Sequence, residues 1–115
     1  MIGKEIIKIV IPGHISTNAS NEIKGWRETL QNSLHLLPCV RVSDKKVAVK
    51  IAFWLNGNRL YGRKNDVDNL TKPVLDSMQK VEYLNDDSNV SSLQVSKHPT
   101  DGEEHLELTV NEWDD

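Results

Sequence analysis

The chain has 115 residues, 37% of them apolar, with 14 Lys/Arg against 17 Asp/Glu for a formal net charge of −3, which predicts one domain in which binding and chemistry share a single two-layer core. Its longest apolar stretch, Val47 to Leu55, is broken by Lys50 and falls well short of the roughly 20 residues of a membrane span. The start, Met1-Ile2-Gly3-Lys4-Glu5, carries an acid and lacks the shape of a signal peptide, so a cytoplasmic protein is expected.

Taken in chain order, Lys4 to Ile11 alternates, with Ile7, Ile9 and Ile11 on one face and Lys8 on the other, the period of a half-buried strand that Pro12-Gly13 ends. Between Ser20 and Leu37, the residues Ile23, Trp26, Leu30, Leu34 and Leu37 recur at steps of three and four. They predict a helix weakened at Gly25, stopped by Pro38 and burying Trp26. The single cysteine, Cys39, has no partner for a disulfide and no Cys or His at zinc spacing, so an inert buried thiol is expected. Val47, Val49, Ile51, Phe53 and Leu55 form the clearest period-two run and predict the central strand. Trp54 points away from Phe53, and packing is favoured for it over a dimer or DNA contact.

Leu70, Val74, Leu75, Met78 and Val81 predict a second amphipathic helix, with Pro73 tolerated for its nearness to the first turn. Strands follow around Leu93 and Val95 and again around Leu106, Leu108 and Val110, and Pro99-Thr100-Asp101-Gly102 reads as a hairpin turn between them. His14, His35, His98 and His105 have no ligand or triad spacing and are expected on the surface or on strand faces. Residues 1 to 100 hold all 14 Lys/Arg against 10 acids, whereas 101 to 115 hold seven acids and no Lys or Arg. The first hundred residues are thus mildly basic, a thin footprint for a nucleic-acid binder, and the acidic end is expected to be flexible from about Glu112. The order β-α-β-α-β-β predicts a single α+β domain over 1–115: two layers, with two helices on a four-stranded mixed sheet. The opening β-α-β suggests one parallel pairing and the closing strands one antiparallel pairing.

The chemistry concentrates in Asp66-Val-Asp68-Asn69-Leu70-Thr71-Lys72, followed by Asp86-Asp87. Two carboxylates two residues apart project to one side of an extended segment entering the second helix. That helix carries the chain outward by about 1.5 Å per residue, and a loop returning at about 3.3 Å per residue could bring Asp86-Asp87 back beside them. Hard carboxylate oxygens with no His or Cys nearby suit Mg²⁺ or Mn²⁺. Lys72 offers a compact charge for a phosphate, and Asp76, four residues on, could orient it. A structural reading stands beside this one, with Asp68-Asn69 as a helix N-cap, Asp66 as a turn acid and Asp86-Asp87-Ser88-Asn89 as a polar turn. An EF-hand is excluded, since Thr71 and Ser77 occupy the positions that require Gly and Glu.

The run Asn65-Asp66-Val67-Asp68-Asn69-Leu70-Thr71-Lys72-Pro73-Val74-Leu75-Asp76, then Tyr83-Leu84-Asn85-Asp86-Asp87-Ser88-Asn89-Val90, resembles the RusA family of Holliday-junction resolvases. The family's aspartate, aspartate, lysine and aspartate fall on Asp66, Asp68, Lys72 and Asp87. The resemblance implies a homodimeric, Mg²⁺-dependent endonuclease of bacteria or their phages, acting in DNA recombination and repair by paired symmetric nicks in four-way junction DNA. It implies no organic cofactor and no membrane partner. On it, Asp66, Asp68 and Asp87 bind metal, with Asp86 as a further candidate ligand, and Lys72 assists at the phosphate. Asn69 and Asp76 stand behind these groups as supports. After Ile11-Pro12-Gly13 the chain has only the short His14-Ile15-Ser16-Thr17-Asn18-Ala19-Ser20 where relatives often carry a longer basic or aromatic loop. Arg63, Lys64 and Lys97 are then the candidates for DNA backbone contacts, against a reading as solvated surface cations. Two other functions stay open at this point, a junction-binding architectural protein without catalysis and a metal-binding domain with no DNA role.

Overall fold

The computed structural model describes residues 1–37, 45–84 and 86–114, with Asp87 described by its backbone alone. Its elements are β1 (Ile2–Pro12), α1 (Ile23–His35), β2 (Val47–Asn56), α2 (Val67–Lys80), a short 3-10 turn (Asp87–Asn89), β3 (Val90–Thr100) and β4 (His105–Trp113). They form the expected α+β arrangement of two helices and one four-stranded mixed sheet. The expected helix stop at Pro38 and the thiol of Cys39 lie outside the described residues.

The strand pairing differs from the sequence reading. The sheet order is β1-β4-β2-β3, with β2 parallel to β3, and with β4 antiparallel to both β2 and β1. The parallel pair therefore belongs to β2-α2-β3 and not to the opening β-α-β, because β4 separates β1 from β2. Likewise β3 and β4 are not a hairpin, since β2 lies between them. Burial explains this choice. Leu106, Leu108 and Val110 of β4 are each 0% exposed, whereas Leu93 of β3 is 47% exposed, so the more apolar strand takes an interior place and the more polar one an edge. Pro99 is harmless on that edge, where a missing N–H breaks no interior ladder. The segment 101–104 then crosses the end of β2, spanning two strand spacings of about 4.8 Å each.

One face of the sheet carries the alternating apolar residues, and against it α1 packs Trp26, Leu30 and Leu34 while α2 packs Leu70, Val74 and Met78. Burial of each such side chain contributes about 1.5–3 kcal/mol. On the opposite face Trp54 stacks between His98 (ring centroids 4.4 Å apart) and His105 (5.7 Å), its cross-strand neighbours on β3 and β4. Trp54 thus packs, and its partners are two of the strand-face histidines. Where a flexible end was expected from about Glu112, β4 continues to Trp113, whose N–H donates to the Lys46 carbonyl at 3.0 Å. Pro73 is the seventh residue of α2, beyond the first turn, so the Asn69 carbonyl is left without its i+4 donor.

Candidate active site

The start of α2 is built around Asp66. It is the N-cap, with extended backbone (ψ 163°), and its Oδ1 accepts from the Asn69 N–H at 2.8 Å. The structural part foreseen for Asp68-Asn69 therefore falls to Asp66, which leaves Asp68 exposed in the first helical turn. One oxygen of Asp66 satisfies a helix donor and the other is uncommitted among the described contacts. Both carboxylates stand at the positive end of the helix dipole. The Asn69 side chain donates to the Lys64 carbonyl at 3.2 Å and so braces the cap from behind. Lys72, one turn past Asp68, lies 3.8 Å from Asp76 in the expected i,i+4 pair. That pair is exposed and mainly orients the ammonium.

The loop 57–66 leading into Asp66 is held by part-buried polar contacts. Glu104, 5% exposed, accepts from the Asn56 N–H at 2.9 Å and pairs with Arg59, whose other terminal nitrogen donates to the Ile15 carbonyl at 2.6 Å. The Asn65 side chain donates to the Arg59 carbonyl at 3.0 Å. From β3, Lys97 Nζ donates to the carbonyls of Leu60 (2.7 Å) and Asn65 (3.0 Å). Arg59 and Glu104 were not singled out by sequence reasoning, because each lies in a polar stretch and their pairing depends on the turn after β3. Arg63 and Lys64 are exposed and line a groove with Thr17, Ser20, Asn21 and Arg59 beside the acid loop. Lys97 points into the loop, so two of its three N–H groups serve backbone carbonyls.

Asp86 and Asp87 do not return to Asp66 within the chain. At the end of α2, Glu82 takes a positive φ of 66°, and the N–H groups of Tyr83 and Glu82 donate to the carbonyls of Met78 (2.9 Å) and Gln79 (3.0 Å). This is a Schellman ending, which turns the chain directly out of the helix. Asp86 and Asn89 then close a tight turn, in which the Asp86 N–H donates to Asn89 Oδ1 at 3.0 Å and Asp86 Oδ1 accepts from the Ser88 N–H at 2.9 Å. Asn89 Nδ2 ties that turn to the Lys45 carbonyl at 3.1 Å, at the start of β2. The return journey expected of residues 81 to 85 is made by β3 instead, and what it brings back to Asn65 is Lys97. From Val90 to Lys97 the strand covers about 23 Å, a length matched by the roughly 21 Å of α2. The Asp86-Asp87 turn is therefore about 20 Å from the start of α2.

Among the described residues no three Asp, Glu, His or Cys side chains come together as a metal site. Asp66 and Asp68 nevertheless fit a hard divalent cation, because Mg²⁺ keeps several waters and is commonly held by one or two carboxylates together with substrate phosphates. The donor set, all oxygen and exposed, suits such an ion better than zinc or copper. Next to it a shallow groove lies between α2 and the edge strand β3, lined by Val67, Asp68, Lys72, Leu75 and Leu93, with Val67 and Leu93 being 38% and 47% exposed.

No curated protein matches the chain. The model of one family, endodeoxyribonuclease RusA, matches residues 9–111, from within β1 to within β4 and across every candidate residue. With that match over nearly the whole chain, and the acids and lysine of the motif at the head of α2, the protein belongs to the RusA endodeoxyribonuclease family.

Proposed function

We propose that the protein is a Mg²⁺-dependent, structure-selective endonuclease that acts as a homodimer and resolves four-way DNA junctions by paired symmetric nicks. The observation that carries this reading is the head of α2, where Asp66 caps the helix at the end of a braced loop, Asp68 is exposed in the first turn and Lys72 lies one turn beyond. Asp66 and Asp68 would hold the cation, for which Mn²⁺ could substitute. A divalent ion there would supply Lewis-acid polarisation of a phosphoryl oxygen and make water more acidic. Lys72 sets its ammonium against the charge that develops on the phosphate. Arg63 and Lys64, on the groove beside the loop, hold the flanking backbone phosphates and position the strand.

The place of Asp86-Asp87, about 20 Å from the head of α2, favours a site completed by two copies. In an isologous dimer whose axis crosses α2, the head of one helix meets the turn after the other helix, so Asp87 of the second copy joins Asp66 and Asp68 of the first. The groove with exposed Val67 and Leu93 borders the site and offers the apolar surface for that contact. A mixture of Asp68→Asn and Asp87→Asn proteins tests it. Each variant alone has no intact site, whereas a heterodimer has one, so after subunit exchange nicking should return to about one quarter of the wild-type level. Mixtures as inactive as their components would show that each site is built within one chain.

A further inference from the structure

We infer that Lys97 is a positioning residue for the carboxylate site, clamping the acid-bearing loop from β3 and making no contact with DNA. The inference rests on the proposed metal-dependent nuclease reading and adds a residue to it. Lys97 lies opposite Phe53 in the parallel β2–β3 register, near the end of β3 that returns to the head of α2. Its ammonium reaches the carbonyls of Leu60 and Asn65 at 2.7 and 3.0 Å, both part-buried bonds. Those two carbonyls bracket the loop, and the second belongs to the residue immediately before Asp66.

The same loop is tied within itself, since Asn65 N–H donates to the Gly62 carbonyl at 2.9 Å and its side chain to the Arg59 carbonyl at 3.0 Å. At its far end Arg59 is anchored to Glu104 and Ile15. Lys97 is the tie that fixes this closed loop to the edge strand. The helix itself is secured by Leu70, Val74 and Met78 in the core, so without Lys97 the helix stays in place while Asn65 and the Asp66 cap loosen. A carboxylate placed loosely is a weaker ligand, because part of the binding free energy goes to ordering it. The ammonium also lies 5.6 Å from the centroid of the Tyr61 ring, which is itself 87% exposed. With two carbonyls and a ring around it, the charge is directed into the loop.

The experiment compares wild type, Lys97→Met and Lys97→Arg by three readouts. The first is hydrogen exchange of the amides of residues 60–69 in the metal-free protein. The second is direct Mn²⁺ titration, and the third is four-way junction affinity in chelator. Lys97→Met keeps the side-chain stem and removes the donors, and should raise exchange in that loop about tenfold and weaken Mn²⁺ binding about tenfold, with junction affinity in chelator unchanged. Lys97→Arg should restore much of both losses, since a guanidinium also donates to two carbonyls. Unchanged loop exchange and Mn²⁺ affinity in Lys97→Met would overturn the inference, as would a loss confined to junction affinity, which would make Lys97 a phosphate contact. Should Lys97→Met not fold, the same comparison is made with Lys97→Gln, which retains one donating group. A wild-type protein that binds no Mn²⁺ would refute the metal reading, while the exchange measurement would still decide whether the clamp exists.

Discussion

Asp66 caps α2, and on the proposed function it also holds a cation; two substitutions divide the two parts. Asn caps a helix about as well as Asp, so Asp66→Asn keeps the acceptor that now takes the Asn69 N–H at 2.8 Å. It loses a negative charge at the helix N-terminus, worth about 0.3–1 kcal/mol. At physiological ionic strength salt screens that exposed charge, so the net change in stability should be under about 0.5 kcal/mol. Asp66→Ala removes the acceptor as well and should cost about 1 kcal/mol more. For 115 residues the unfolding entropy near the midpoint is about 0.24 kcal/mol/K, so that difference corresponds to roughly 4 °C in Tm. Thermal unfolding in chelator followed by circular dichroism should place Asp66→Asn within about 2 °C of wild type and Asp66→Ala about 4 °C lower. Both variants should lose metal-dependent cleavage. Equal Tm values for Asn and Ala would refute the capping role, and cleavage by Asp66→Asn at the wild-type rate would refute the ligand role.

Glu104→Ala should destabilise the fold by about 2–4 kcal/mol, somewhat less than a fully buried pair because the Arg59 side chain is 23% exposed. Thermal unfolding should show a drop of roughly 8–16 °C, and a drop under 3 °C would mean that Arg59 and the Asn56 N–H find water readily. Gly25→Ala should stabilise by about 0.4–1 kcal/mol, since a Cβ in this first helical turn meets nothing within 4 Å and alanine has less unfolded-state freedom to lose than glycine. An unchanged urea midpoint for Gly25→Ala would show that α1 is already frayed at that turn in the native state.

The elements were legible in the sequence because their signals are local. The alternation of Val47 to Leu55 and the three-and-four spacing from Ile23 to Leu34 each lie within one strand or helix, and the structure follows them. The order of strands was not legible, since it depends on how deeply each can be buried. The strand of Leu106, Leu108 and Val110 outcompetes that of Leu93 and Val95 for an interior place. The head of the site was legible for the same local reason, with Asp66, Asp68 and Lys72 all within two turns of one helix. The place of Asp86-Asp87 was hidden behind Glu82, a non-glycine residue in the left-handed region that gives no turn signal in sequence. One rule could have located Lys97. In a β-α-β unit with parallel strands, the second strand ends beside the head of the helix, and that is where Lys97 meets Asn65.

The central claim is that the carboxylates at the head of α2 drive metal-dependent cleavage of branched DNA. Its most direct test is cleavage of a labelled synthetic four-way junction against linear duplex of the same sequence, with Mg²⁺ and with chelator, by wild type and Asp68→Asn. Symmetric nicks are expected on the junction and none on the duplex, lost in chelator and lost in Asp68→Asn at unchanged Tm. Nicking that persists in Asp68→Asn or in chelator, or junction binding with no nicks in any divalent cation, would contradict it.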